Sequence, residues 1–339
     1  MGRIQNARVL FNSVPESYPV PGETTVYDPS QTIDIEAEPL NGGFLLKTLV
    51  LSIDPYLRNR MQKPEEKPNL PPFQIGAPLE GIGIGVVLRS ESAGVEPDFT
   101  VHQEYAVYPE LVGGMQILQK LPELPLTVYV NAAGIPGLTA YAGWKEYSEA
   151  KPGEIAFVTS GAGAVGTIVI QLAKQAGMKV IASAGSEEKV KFMESIGADV
   201  AFNYKTNDTR AVLEKEGPID VFWDNVGGDV VDAAIEFAAV GGRLLECGSI
   251  SGYNAGHLGV KNFSIIGSKP LHVHGILVLP LLPKYLAEFC TTIPPKLASG
   301  EIKYAEDISR GLDKVGDRIL AVQKGTSKAK AVVVVAEEA

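Results

Sequence analysis

The stretch from Thr159 to Gly166, T-S-G-A-G-A-V-G, constrains this chain more than any other. It stands directly after the apolar run EIAFVTS and directly before GTIVIQLAKQAG. A strand therefore feeds a tight glycine turn, and the turn opens a helix. Gly161, Gly163 and Gly166 fit the spacing G-x-G-x-x-G. Such a turn lets the backbone approach a pyrophosphate, which the helix N-terminus binds through its unpaired N–H groups and its dipole. A tight turn without a ligand is the plain alternative. The strand–helix context on both sides favours dinucleotide binding.

That context continues to about residue 270. KVIASAG and SEEKVKFMESIG follow, then ADVAFNY, IDVFWDNVGG with DVVDAAIEFAAVGG, and RLLECGS. Apolar runs alternating with amphipathic helices predict βαβ units and a parallel sheet. In the first helix Val165, Val169, Leu172 and Ala176 fall at helical spacing and predict one buried face. Residues 1–125 have another texture, with the short apolar runs FLLKTLVLSI, GIGIGVVL and EYAVY among many turn formers. They predict an irregular β-rich domain, with PEEKPNLPP at 64–72 as an exposed loop. The tail ends in KAKAVVVVA, a strand-like run expected to return to the first domain, because chain ends often lie close together.

The expected fold class is α/β, with a β-rich catalytic domain formed by residues 1–125 and 300–339. A doubly wound, parallel-sheet Rossmann domain at 126–299 is inserted between them. A chain of 339 residues exceeds the size at which one core stops growing, which agrees with two domains.

The second strand of the βαβ series selects the dinucleotide. NAD sites place Asp or Glu about 20 residues past the loop start, to hold the ribose 2′-hydroxyl. Here that position reads Ile181-Ala182-Ser183-Ala184-Gly185, without an acid, and the next helix carries Lys189. A missing carboxylate and an added cation suit the 2′-phosphate of NADP, although Glu187 and Glu188 stand close by. A formal net charge of −10 argues against nucleic-acid or anionic-membrane partners. No apolar run approaches the length of a membrane span, and MGRIQNARVLF lacks a secretory h-region, so a cytoplasmic protein is expected.

The two cysteines, Cys247 and Cys290, supply neither a disulfide framework nor a four-cysteine zinc site. Their apolar contexts read as small buried hydrophobes. Residues 1–125 hold no Cys and a single His, His102. His272 and His274 share a strand face without an evident third ligand, and His257 reads as a loop residue. No metal is expected. VHGILVLPLLPKY at 273–285 is an apolar run at the expected edge of the parallel sheet, implying either a homodimer or cover by its own helix.

Seven strings together resemble one family: LSIDPYLRNRM, GAPLEGIGIGVV, GIPGLTAYAGW, AGSEEKV, FNYK, FWDNVGG and CGSISGYN. They occur in the same order, over nearly the whole chain, in the medium-chain dehydrogenase/reductase superfamily. Within it, the leukotriene B4 dehydrogenase/prostaglandin reductase and alkenal double-bond reductase group is the most similar. The resemblance implies a GroES-like catalytic domain, zinc-independent chemistry, NADPH, and reduction of the C=C bond in α,β-unsaturated aldehydes and ketones. Its cofactor contacts fall on Gly161, Gly163, Ala164, Val165 and Gly166 at the pyrophosphate, and on Lys189 and Tyr204 at the 2′-phosphate. Asn225, Cys247, Gly248, Ser249 and Tyr253 then lie toward the nicotinamide ribose. The resemblance also places Tyr56 and Tyr253 at the substrate.

The chain departs from the family in three places. A segment like K-x-G-D-x-V-x-G has no counterpart, since Pro97-Asp98-Phe99 runs straight into TVHQEY. Either the strand is shorter here or a segment is omitted. Ser327 stands where the group often has a cofactor-contacting Asn, and His102 replaces a usual Trp, a change expected to alter the polarity of the substrate cleft.

Hydride transfer is chemistry that a nicotinamide brings, so the protein has to orient the reactants and stabilise developing charge. Hydride arriving at the β-carbon of an enone leaves an enolate, and a phenol O–H can stabilise its oxygen. Tyr56 and Tyr253 are the candidate catalytic residues, with packed, structurally satisfied tyrosines as the alternative. Quinone reduction, oxidation of secondary or allylic alcohols, and a non-enzymatic NADPH-binding structural protein are the competing functions.

Overall fold

The computed structural model describes residues 2–63, 65, 70–91, 99–109, 118–256 and 259–338, with the backbone alone at 99–101. His257, the Pro97–Asp98 junction and most of the 64–72 loop lie outside the described residues. The chain divides into two compact units, residues 1–130 with 306–339, and residues 131–305.

The first unit is β-rich. Its early strands are β1 (Ile4–Gln5), β2 (Arg8–Phe11), β3 (Thr25–Asp28), β4 (Thr32–Ile33), β5 (Phe44–Ser52), β6 (Glu80–Ser90), β7 (Phe99–Val101) and β8 (Tyr105–Tyr108). β5 pairs antiparallel with both β6 and β8. Its sequence, FLLKTLVLS, is apolar on both faces, and all of it except Lys47 is buried. A strand that is covered on both sides reads as a continuous apolar run, not as an alternating one.

The second unit carries β9 (Ile155–Val158), β10 (Lys179–Ala184), β11 (Val200–Asn203), β12 (Ile219–Asp224), β13 (Ala238–Glu246) and β14 (His272–Gly275). The sheet order is β11-β10-β9-β12-β13-β14, and every pairing is parallel. Its helices are α1 (Ile135–Tyr147), α2 (Ala164–Gln175), α3 (Glu187–Ser195), α4 (Thr209–Glu216), α5 (Asp229–Glu236), α6 (Ile265–Ser268) and α7 (Leu282–Ala298). The chain then adds β15 (Glu306–Arg310), α8 (Val315–Gln323) and β16 (Lys330–Val334) to the first unit. β16 runs parallel to β15 and antiparallel to β5, so the C-terminal valine run closes the sheet that β5 began.

In the second unit the strand order reverses between β9 and β12. Their carboxyl ends therefore send the chain to opposite faces and leave a crevice, the place where doubly wound sheets bind ligands. Among the described residues no helix is long and apolar enough to cross a membrane.

Three expectations are corrected. The buried side of α2 is broader than the stripe Val165–Val169–Leu172–Ala176: Gly166 through Gln171 and Ala173 are buried, whereas Val165, Leu172 and Ala176 are only half-buried. α2 is packed between the sheet and α1, so a one-sided pattern does not describe it. Cys290 is exposed. The buried face of α7 is set by Tyr285, Phe289, Ile293 and Leu297 at i, i+4, i+8 and i+12, and Cys290 lies one position past that stripe.

His102 lines no open surface: it is fully buried, and neither ring nitrogen has a hydrogen-bond partner among the described residues. A Cβ on Gly81 would lie 2.9 Å from His102 Nε2, so glycine is what lets the ring in. Burial, followed by the charge of Arg60, pushes the imidazole down to about 4, against the opposing pull of Asp54. The folded state therefore refuses a proton that the unfolded chain accepts below its ordinary value of 6.5. Stability is lost as pH falls from 6.5 to about 4, by about 3 kcal/mol in all. Denaturant unfolding of the wild type and His102→Leu across this range checks this. The variant is expected to lose much less stability on acidification, whereas two parallel curves would show that His102 is not the cause.

Candidate functional site

Each of the sequence-predicted cofactor residues lies in the second unit, at or just beyond the carboxyl ends of strands β9 to β13, or in the glycine turn and the start of α3. The glycine turn leaves β9 at Thr159. Ser160 adopts a left-handed backbone (φ 51°), and Gly163 N–H donates to Ser160 O at 2.9 Å. The glycines have different tasks. A Cβ on Gly161 would lie 2.6 Å from Met193 Sδ of α3, and one on Gly166 would lie 2.5 Å from Ser160 O. These two permit close packing of helix and turn. Gly163 meets only Ser160 atoms, at 3.1 Å, and with Ala164 and Val165 forms the partly exposed lip of the turn. The first intrahelical bond of α2 runs from Thr167 N–H to Gly163 O, so the amides of Ala164, Val165 and Gly166 head the helix without acceptors inside it.

The end of β10 is free of acids, as the sequence requires. Ser186 caps α3, its hydroxyl accepting the Lys189 N–H at 3.4 Å. Glu187, at the head of α3, accepts a hydrogen bond from Asn203 Nδ2 at 2.9 Å. Tyr204 N–H donates to Ala184 O, and a Cβ on Gly185 would lie 3.0 Å from the Tyr204 hydroxyl and 3.2 Å from Lys205 Cε. The Lys205 ammonium stands 5.9 Å from the centre of the Tyr204 ring. Ser186, the Tyr204 phenol and the Lys205 cation thus gather at one strand end, where α3 brings Lys189 half-buried. Lys205 was missed from sequence, although it directly follows Tyr204 in FNYK.

Across the crevice, β12 ends in Asp224 and turns through Asn225 to Gly228. Thr159 joins the two sides. Its hydroxyl donates to Asp224 Oδ1 at 2.9 Å and accepts Asn225 N–H at 2.8 Å. Asn225 is held at both ends of its amide: Oδ1 accepts Trp223 Nε1–H at 3.2 Å, and Nδ2 donates to Thr159 O at 2.6 Å. The Asp224 carboxyl also accepts the N–H groups of Val226 and Gly227. Gly227 and Gly228 both have positive φ, and a Cβ on Gly227 would lie 2.8 Å from Ser249 Cβ.

Asp224 is the register partner of Glu246 on β13, and neither forms an ion pair among the described residues. Burial, then Glu246, pushes Asp224 up to about 7, against the hydrogen bonds it accepts. The same burial, with Glu246 and Asp224 adding to it, pushes the half-buried Cys247 thiol up to about 12, so this cysteine stays a neutral thiol. Cys247 and Gly248 N–H both donate to Asp224 O, and Ser249 Oγ donates to Glu246 Oε1 at 2.6 Å. Tyr253 ends the short 3₁₀ turn after Ser249 and is half-buried. A Cβ on Gly248 would lie 3.2 Å from the Tyr253 hydroxyl, so the phenol lies over the 247–249 backbone.

Tyr56 belongs to the first unit, on the 3₁₀ turn Pro55–Arg60. Its ring packs against the core around Leu57, Met61 and Leu79. Burial first, then the charge of Asp54, pushes the phenol well above its ordinary range, with Arg60 and a backbone hydrogen bond from Ile82 opposing. It is a proton-bearing donor across the neutral range. His274 stacks on Tyr147 with ring centres 4.8 Å apart, and His272 is exposed.

Two family models match the chain. One described as zinc-binding dehydrogenase covers residues 164–283, and one described as the N-terminal domain of oxidoreductase covers residues 22–110. Among the described residues no group of three or more His, Cys, Asp or Glu is arranged to hold a metal ion. The NADP(+)-dependent 2-alkenal reductase of Nicotiana tabacum is 34% identical over 348 residues, covering 99% of each chain. The (+)-pulegone reductase of Mentha piperita is 36% identical over 307 residues, covering 88% of this chain and 89% of its own. Among solved structures, CurA of Vibrio vulnificus in complex with NADPH superposes with a TM-score of 0.87 at 28% identity, over 98% of this chain and all of its own. With this fold and near-complete coverage, the chain belongs to the medium-chain dehydrogenase/reductase superfamily, in the group of the alkenal reductases and leukotriene B4 dehydrogenases.

Proposed function

We propose that this protein is an NADPH-dependent reductase of the C=C bond in α,β-unsaturated aldehydes and ketones. The observation that supports the cofactor half of this reading is the acid-free end of β10, where Tyr204 and Lys205 approach Gly185 and the first turn of α3, capped by Ser186, carries Lys189. A 2′-phosphate carries the charge and acceptors that such a cluster satisfies, whereas a bare ribose diol calls for a carboxylate. Gly163, Ala164, Val165 and Gly166 would hold the pyrophosphate at the head of α2. Asn225 and the Cys247–Ser249 backbone, fixed by the Asp224–Thr159 hydrogen bonds, would hold the nicotinamide ribose. When bound, NADPH supplies the hydride.

The substrate half is supported by similarity to the 2-alkenal and pulegone reductases over most of the chain. Tyr253 and Tyr56 are the two phenols assigned to the enolate oxygen formed when the β-carbon accepts hydride. Both would act as neutral donors, and the α-carbon takes its proton from a tyrosine or from water. A homodimer joined through β14 fits the same reading. β14 ends the sheet among the described residues, and Val273, Leu277 and Leu279 on or beside it are each more than half exposed.

Purified protein supplied with NADPH or NADH and a panel of an alkenal, an aryl enone and a quinone tests the function. Saturated carbonyl product with NADPH, and at least about tenfold less with NADH, is expected. Hydroquinone as the sole product, or tight cofactor binding with no turnover, would replace the assignment. Lys189→Ala is expected to weaken NADPH binding by roughly tenfold to a hundredfold, the range of a lost charge-assisted contact, and to leave NADH affinity unchanged. Titration of nicotinamide fluorescence reads both constants. Equal losses for the two cofactors would move the 2′-phosphate away from Lys189.

A further inference from the structure

Tyr56 is held in place by a group that sequence reading passes over. The turn that bears it begins at Asp54, an N-cap position where an aspartate ordinarily accepts backbone N–H groups of its own turn. Asp54 makes no such cap. Its carboxylate points inward instead, accepting from Lys330 Nζ at 2.5 Å and from Ser52 Oγ at 2.5 Å. The Lys330 ammonium also donates to Ile53 O at 3.0 Å, and Gln323 Nε2 donates to Pro55 O at 3.0 Å. Groups on β5, β16 and α8 therefore grip residues 53, 54 and 55, the three immediately before Tyr56.

The ion pair is buried, with side-chain exposures of 4% for Lys330 and 10% for Asp54. A buried pair is a poor stabiliser, because desolvation of both ions offsets their attraction, and apolar residues of similar volume often serve stability as well or better. Its placement therefore calls for a role in geometry. The charged groups facing the Tyr56 phenol are Asp54 on its own turn, Arg60 at the end of that turn and Glu80 from β6, with His102 neutral in the core.

We propose that the Lys330–Asp54 pair, with Ser52 and Gln323, is a positioning device that aims the Tyr56 phenol at the substrate oxygen. The inference rests on the enone-reductase reading of Tyr56. Lys330 and Asp54 are positioning residues: they act through the backbone of the turn, and Asp54 in addition favours the protonated phenol.

A double-mutant cycle on the full-length protein tests this. Asp54→Leu combined with Lys330→Met removes both charges at similar volume, so folding is expected to survive with an undiminished melting temperature. NADPH affinity should stay within about twofold, while kcat for an aryl enone falls about tenfold with a smaller change in KM. Tyr56→Phe should cost about tenfold in the wild type and almost nothing further in the double variant, a non-additivity that general loosening would not produce. Equal costs of Tyr56→Phe in both backgrounds, or an unchanged kcat in the double variant, would overturn the inference. Should the double variant not fold, Lys330→Arg keeps the charge but moves the donor, and the same cycle is read on it. If the wild type reduces no enone at all, the proposed function falls and the inference that rests on it is overturned with it; a wild type that reduces the enone while Tyr56→Phe costs the same in both backgrounds overturns the positioning claim alone.

Discussion

The Thr159 hydroxyl is the pivot of the candidate cofactor site. A doubly wound sheet places the carboxyl ends of β9 and β12 side by side but sends their chains to opposite faces, so nothing in the connectivity holds the two turns together. Thr159 does so with one oxygen, donating to the Asp224 carboxyl and accepting the Asn225 N–H. The Asp224 carboxyl in turn gathers the N–H groups of the following glycine turn, and its carbonyl gathers those of Cys247 and Gly248. The Asn225, Cys247 and Gly248 positions assigned to the nicotinamide ribose hang on these hydrogen bonds, and the Thr159–Asp224 pair at their centre is buried, where a lost partner is costly.

Charge is sorted along the same sheet edge. Cations, Lys189 and Lys205, collect at the end of β10 and β11, where the sequence withholds an acid. Acids, Asp224 and Glu246, stand together at the end of β12 and β13 without a cation among the described residues. A net charge of −10 is therefore not spread evenly along the chain, which a whole-chain count cannot register. In the first unit the opposite arrangement appears, with a single buried lysine–aspartate pair fixed under the turn of Tyr56.

The parallel sheet and its glycine turn were legible because both leave periodic or spaced signals: apolar runs, amphipathic helices, and glycines whose tasks the packing explains. The absent acid at the end of β10 was legible for the same reason, being a defined position in a defined unit. Residues that act only through long-range partners were not. Thr159 reads as an ordinary strand residue, and its partners lie 65 and 66 positions away. Lys330 and Asp54 carry no local sign of one another in the sequence, yet they meet across 276 positions. Burial was misjudged where it depends on what covers an element, as with the two-sided α2 and the outward Cys290. His102 shows the converse: a polar residue placed in the core leaves no local mark in the sequence.

The most direct measurement follows the hydride itself. NADPH deuterated at the transferred C4 position would be incubated with the protein and an aryl enone, and the product examined by NMR and mass spectrometry. Deuterium on the β-carbon of a saturated ketone is the predicted result. Deuterium on the carbonyl carbon, as an allylic alcohol, would contradict double-bond reduction and make this an alcohol dehydrogenase that uses the same cofactor site.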